Sequence, residues 1–287
     1  MSISASAVLV ELNISVWPAS KIDRATTEQV NSSAGAVRDA SQSKKNLFAG
    51  TSLRKNIEKF AAKVRLYHNL NTLPWADKGE RILPTKLFME YKQHMNAYEQ
   101  TFLMMCDDFF DHYDRLVSEA QVNMGKLYDP ADYPELEEVK NKFGFNRTVK
   151  PLSDAGDFRL DIPAHDLEEM KDEYEKQYSG KLAEAMRAPW ERLHTMLTAM
   201  SKKLTEDESD DGEEKTRRFH DSLVSNPLEL CELLTKLNVT NDPKLEEARK
   251  ELELTMLGAS IDRIKEDPTV RSTLKGKVDA ILNKFDF

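Results

Sequence analysis

The residues from Thr85 to Leu127 constrain this chain more than any other stretch. Leu87, Tyr91, Met95, Tyr98, Phe102, Met105, Phe109, Tyr113, Leu116, Ala120 and Leu127 recur mostly three or four apart, the spacing of one helical face. No Gly or Pro interrupts the run before Gly125 and Pro130. At ~1.5 Å per residue it predicts a single unbroken rod of roughly 60 Å, longer than a compact domain is wide. A rod of that length needs neighbours to cover its apolar side. The expected fold class is therefore mainly α: an elongated helical bundle with long antiparallel helices and a small two-stranded β ribbon.

The rest of the chain supplies those neighbours. From Thr51, the residues Leu53, Ile57, Phe60, Val64 and Tyr67 form a second stripe, and after Pro163 a third follows Leu167, Met170, Tyr174, Tyr178 and Leu182. Gly180 and Pro189 interrupt the third stripe, and Pro189 should kink or restart the helix because it lacks an N–H and crowds the preceding turn. Trp190, Leu193, Leu197, Met200 and Leu204 then continue it. Three pairs, Asn226-Pro227, Asp242-Pro243 and Asp267-Pro268, each place a capping side chain before a proline and predict three helix starts near the C-terminus. Residues 23 to 50 are polar with few apolar anchors and fit a weak helix, a mobile loop or a segment ordered on binding. These patterns divide the chain into a strand and polar segment (1–50), a long-helix bundle with a strand-containing tip (51–204), an acidic linker (205–215) and a small helical bundle (216–287). The linker holds seven carboxylates in the nine residues from Glu206 to Glu214. It suits either a solvated loop or a contact with a basic neighbour.

Val8, Val10, Leu12, Ile14 and Val16 alternate with Leu9, Glu11, Asn13, Ser15 and Trp17, the period of a half-buried strand that Pro18 ends. Its expected partner is Asp157 to Ile162, where Phe158, Leu160 and Ile162 repeat the alternation. A two-strand ribbon leaves edges unpaired. Val8, Val10, Leu12 and Ile14 are thus a candidate strand-edge interface, against the plainer reading of a ribbon that ties two helices together.

Charge is divided unevenly. Residues 1 to 75 hold ten Lys/Arg against five Asp/Glu, whereas the whole chain carries a net charge of −9. On the face opposite the second stripe, Lys55, Lys59 and Lys63 line up, with Arg54 and Arg65 close by. Such a row is a candidate contact for nucleic acid, with Tyr67 placed to stack on a base, or for an acidic partner; it also suits a solvated face. Asp108 and His112 have the i, i+4 spacing of two metal ligands, but no second cluster accompanies them, and a solvated polar face is the expectation. Cys106 and Cys231 lie within helical apolar patterns and predict buried, reduced thiols. The chain has no G-x-x-x-x-G-K-[ST], G-x-G-x-x-G, H-E-x-x-H, C-x-x-C or G-x-S-x-G motif. No catalytic, cofactor or metal residue is assigned, and no enzyme activity is expected. No segment approaches the ~20 apolar residues of a membrane span, which predicts a cytoplasmic protein without a membrane partner.

Leu9 to Trp17 (Leu-Val-Glu-Leu-Asn-Ile-Ser-Val-Trp) and Leu237 to Pro243 (Leu-Asn-Val-Thr-Asn-Asp-Pro) resemble an uncharacterised helical domain-of-unknown-function family of tailed phages and bacteria. Its members are often encoded near a MoxR-type AAA+ ATPase and a von Willebrand factor A-type protein. The resemblance implies a phage-encoded partner or adaptor of such an ATPase in the host cytoplasm, and no catalytic residues. Three functions are compatible with the sequence: a non-enzymatic adaptor or scaffold that binds a protein or a second copy of itself, a nucleic-acid-binding phage protein using the basic row, and a modulator that binds a host factor through the strand edge.

Overall fold

In a computed structural model the described residues are 5–76, 79–152, 164–205 and 219–285. The chain runs β1 (Ala7–Ser15), β2 (Ser20–Ile22), α1 (Arg24–Ser33), β3 (Lys44–Asn46), α2 (Leu53–Leu70), β4 (Leu73–Pro74), β5 (Arg81–Pro84), α3 (Thr85–Asp111), α4 (Tyr113–Met124), α5 (Leu136–Lys140), β6 (Gly144–Pro151), α6 (Ala164–Leu204), α7 (Ser222–Leu237), α8 (Pro243–Met256), α9 (Ile261–Glu266) and α10 (Pro268–Lys284). It is mainly α with a small antiparallel sheet. The expected second strand, Asp157–Ile162, and the acidic run Glu206–Glu214 lie outside the described residues.

The long apolar stripe is helical and buried as its spacing demands: Leu87, Tyr91, Met95, Phe102, Phe109, Tyr113, Leu116 and Ala120 are all in the core. It is not one rod. The helix breaks at His112, whose backbone leaves the helical region with φ −100° and ψ 3°. The His112 imidazole Nδ1 lies 2.7 Å from the carbonyl of Asp108, the acceptor that its own N–H would use in an unbroken helix. Helical pairing resumes at once, with the Leu116 N–H donating to the His112 carbonyl at 2.9 Å. Past Ala120 the buried stripe ends on Met124, and Leu127 is exposed.

The chain divides into two compact units built from interleaved segments: Met1–Glu11, Asn69–Met89 and Val149–Phe287 form one, and Leu12–His68 with Glu90–Thr148 the other. In the first, residues 7 to 10 of β1 pair antiparallel with β5, from Ala7↔Pro84 to Val10↔Arg81, and β4 pairs with the far side of β5. α6 continues through Pro189. One missing N–H is tolerated because Ala185 and Met186 before the proline and Leu193, Leu197, Met200 and Leu204 after it are all buried. Each fully buried Leu of that set stabilises the helix by about 1.5–3 kcal/mol. Ser201 on α6 donates to Asp279 on α10 at 2.5 Å. Asp242 and Asp267 cap their helices as expected, accepting from the N–H of Lys244 at 2.9 Å and of Thr269 at 2.8 Å. Asn226-Pro227 does not start a helix: α7 begins at Ser222, and Pro227 lies buried inside it.

In the second unit the core is aromatic. The Phe48 ring has its centroid 5.7 Å from Trp17, 5.6 Å from Phe109, 6.0 Å from Tyr113 and 5.8 Å from Tyr133, each in an edge-on arrangement. The Tyr113 and Tyr133 hydroxyls donate to the carbonyls of Pro134 at 2.7 Å and Leu47 at 2.8 Å. Burial pushes both hydroxyls up to about 12. β2 and β3 form a separate two-stranded ribbon. Where β6 begins beside the end of β1, a Cβ on Gly144 would stand 2.9 Å from the Ser15 hydroxyl, so any larger residue there would have to turn that hydroxyl aside.

In the strand order β4-β5-β1-β6, Arg81–Pro84 pairs with residues 7 to 10 of β1 where a loop was expected, so Val8 and Val10 of the candidate edge Val8, Val10, Leu12 and Ile14 already have a strand beside them. Val10 and Ile14 are buried, and Val8 and Leu12 are half-buried.

Candidate functional site

The five candidate contact residues on α2 separate into two kinds. Arg54 is buried and donates to the Trp17 carbonyl at 3.4 Å and to Glu58 at 2.8 Å. Arg65 donates to the Ile14 carbonyl at 2.7 Å. Both guanidiniums thus hold the chain at and just beyond the end of β1, which makes them structural. Lys55, Lys59 and Lys63 are exposed, and none forms an ion pair among the described residues. The Lys63 ammonium lies 6.0 Å from the centre of the Tyr98 ring. Tyr67 is not presented for stacking on a base. It is half-buried, with Tyr91 stacked at 6.1 Å, Tyr98 edge-on at 5.3 Å and His94 at 5.1 Å. Burial, followed by the charge of Glu90, raises its hydroxyl above the ordinary tyrosine range.

Neither cysteine is bonded to the other; both are free and buried. Burial pushes the Cys106 thiol up to about 12 and that of Cys231 to about 11, which suppresses the reactive thiolate at neutral pH. Among the described residues no group of three or more His, Cys, Asp or Glu could hold a metal ion. No helix there is long and apolar enough to cross a membrane.

One concave surface was not apparent in the sequence. It is an open groove of about 590 Å³ in the first unit, between α6 and α7. On α6 the lining falls at Ala188, Arg192, Thr195, Met196 and Ala199, three or four apart, so a single helical face forms one wall. Leu223, Leu230 and Leu233 of α7 form the other. Leu230 and Leu233 are half-buried there, whereas Leu223 and the neighbouring Cys231, Leu234 and Leu237 are buried.

One end of the groove carries an unusual cation. The Arg192 guanidinium donates to the carbonyls of Leu70 at 2.6 Å, Asn69 at 2.8 Å and Thr72 at 3.2 Å. Arg81 donates to Asn69 and Thr72 as well, at 3.3 and 3.1 Å, and to the Thr72 hydroxyl at 2.6 Å. Together they cap the C-terminal end of α2, where unpaired carbonyls and the helix dipole favour positive charge. Burial, and then the neighbouring Arg81 charge, lowers the Arg192 guanidinium to about 10. The only signal for this pair in the sequence is an arginine within an apolar helical stripe, which resembles any solvated position.

No family model, curated protein or solved structure matches this chain.

Proposed function

We propose that this chain is a non-enzymatic adaptor or scaffold of the phage type that works through protein–protein interaction, with the α6–α7 groove as its binding surface. The observation that carries the reading is the groove itself, a concave and mainly apolar surface between two helices, lined at helical spacing. An AAA+ ATPase is the partner that the family resemblance implies. Ala199 lines the groove and is exposed, so Ala199→Glu should leave the fold intact while placing a charge against any apolar occupant. Mass measurement of the complex purified from its native host should show the chain bound to a second protein or to copies of itself. Ala199→Glu should weaken that association at least tenfold. A bare monomer, or a variant that keeps its partner, overturns the reading.

A second reading, nucleic-acid binding, is favoured by one observation: Lys55, Lys59 and Lys63 are exposed without ion-pair partners among the described residues. If three phosphates meet these ammoniums, changing all three to Glu should remove about 2.7 from the slope of log K against log salt, at about 0.9 per phosphate. Fluorescence anisotropy with a duplex and a single strand at low salt checks this. No binding by the wild-type chain removes the reading.

A further inference from the structure

We propose that a second pocket of the first unit, at the junction of α8, α9 and α10, binds a small phosphate monoester, an anionic group carried on a compact apolar body. The inference does not depend on the α6–α7 groove. The pocket has a volume of about 260 Å³, below the roughly 300–1,000 Å³ of sites for drug-sized ligands. It therefore selects a small molecule. Its apolar side is formed by Ile264 and Leu274, both buried, with the half-buried Ala259 and Val270. The chain turns into the pocket at Gly258, whose φ of +82° lies in the left-handed region that glycine enters without steric cost. That turn carries Ala259 and Ser260 from the end of α8 to the start of α9.

Two helices each add one hydroxyl and one cation to the lining at neighbouring positions. Ser260 and Arg263 are three apart at the start of α9, and Thr273 and Lys277 are four apart on α10, spacings that put each pair on one helical face. Ser260 is the cap residue of α9, yet its side chain makes no capping bond. The Arg263 guanidinium, the Lys277 ammonium and the Ser260 and Thr273 hydroxyls form no hydrogen bond or ion pair among the described residues. One carboxylate, Asp267, also lines the pocket. It is already used, accepting the Thr269 N–H at 2.8 Å. That backbone bond, with the Arg263 charge as a lesser cause, holds the Asp267 carboxyl below its ordinary value. Asp267 is thus ionised at neutral pH and offsets one of the two cations, which leaves the lining cationic in a chain of net charge −9. A phosphate group presents three strong acceptor oxygens in a tetrahedral arrangement. It can take guanidinium, ammonium and hydroxyl donors from two walls at once, whereas a planar carboxylate offers two oxygens. The ester body then covers Ile264, Val270 and Leu274, apolar surface that inorganic phosphate leaves wet.

Isothermal titration calorimetry of the full chain with phenyl phosphate at low ionic strength tests the site. Benzyl alcohol supplies the apolar body without the charge, and inorganic phosphate the charge without the body. Phenyl phosphate should bind at least tenfold tighter than either. Arg263 and Lys277 are exposed, so Arg263→Gln with Lys277→Gln should keep the fold and weaken phenyl phosphate at least tenfold. Lys92→Gln with Lys126→Gln removes the same charge from exposed positions outside the pocket and should change nothing. Thr273→Trp, which fills the pocket from an exposed position, should abolish the binding. No binding of phenyl phosphate to the wild-type chain overturns the site. So does a loss as large in the Lys92 and Lys126 variant as in the Arg263 and Lys277 variant, or binding that survives in Thr273→Trp. Equal affinity for inorganic phosphate overturns the ester as the ligand.

Discussion

Phe48→Ala should lower the unfolding free energy by about 3–5 kcal/mol, the range for truncating a buried phenylalanine, and so by the largest amount of any single change considered. The ring is 1% exposed and meets four aromatic rings edge-on, so its removal leaves a cavity whose walls are stiff and cannot collapse into it. Phe48→Leu should cost much less, since it keeps most of the volume and loses mainly the aromatic geometry. Chemical denaturation followed by near-ultraviolet circular dichroism reads both. The alanine variant should lose aromatic signal from the Trp17, Tyr113 and Tyr133 cluster before helicity falls. A cost below about 1 kcal/mol would mean that the cluster relaxes around the gap and does not anchor this unit.

Phe48 also marks where sequence reasoning stops. Residues 23 to 50 carry few apolar side chains, and a window average over them indicates weak structure. Burial depends on where a side chain lands, and Leu47 with Phe48 fills the centre of a core that Trp17, Phe109, Tyr113 and Tyr133 bring together from distant segments. The helical stripes were legible because their signal is local: α3, α4 and the later half of α6 bury most of the residues that their spacing selects, whereas α2 buries Ile57 and Val64 of its stripe together with Arg54, Ala61 and His68 and leaves Leu53, Phe60 and Tyr67 half-buried. The caps at Asp242 and Asp267 were legible for the same reason. The break at His112 was not, since an imidazole can reach a carbonyl one turn back and no Gly or Pro advertises it. β5 was missed because four residues, Arg81–Pro84, are too few for a period to show. The basic row was legible as charge and illegible as role. Lys55, Lys59 and Lys63 remain exposed, whereas Arg54 and Arg65 are drawn to the carbonyls of Trp17 and Ile14 by segments nearly forty and fifty residues away. The groove could not have been anticipated from either wall. Each stripe looks like core until the other is placed beside it.

The second large effect is expected at Asp132. Lys21 and Lys45 are directly paired in the register of the β2–β3 ribbon, and like charges facing each other across strands oppose pairing. Asp132 removes that opposition. Its carboxylate receives the Lys21 ammonium at 2.5 Å through one oxygen and the Lys45 ammonium through the other. The carboxylate side chain is 2% exposed and that of Lys45 13%, while that of Lys21 is 54% exposed, so only part of the cluster is shielded from water. Removing one partner of a fully buried pair costs about 3–5 kcal/mol and of an exposed pair about 0–1. Asp132→Ala should fall between these, at about 2 kcal/mol. Burial alone would raise the Asp132 carboxyl, but the hydrogen bonds and charges of Lys21 and Lys45 outweigh it and hold the group below its ordinary value. A carboxyl with a depressed folded-state value stabilises the fold above its unfolded value near pH 4, and that contribution fades as pH falls through the lower folded value. The gap between wild type and Asp132→Ala should therefore be full at neutral pH and shrink below about pH 4. Urea denaturation at a series of pH values measures it. A gap that persists unchanged into acid would assign the loss to packing. A gap that closes on acidification ties the ribbon to its carboxylate, because protonation leaves Lys21 and Lys45 opposed in the wild type just as the substitution does.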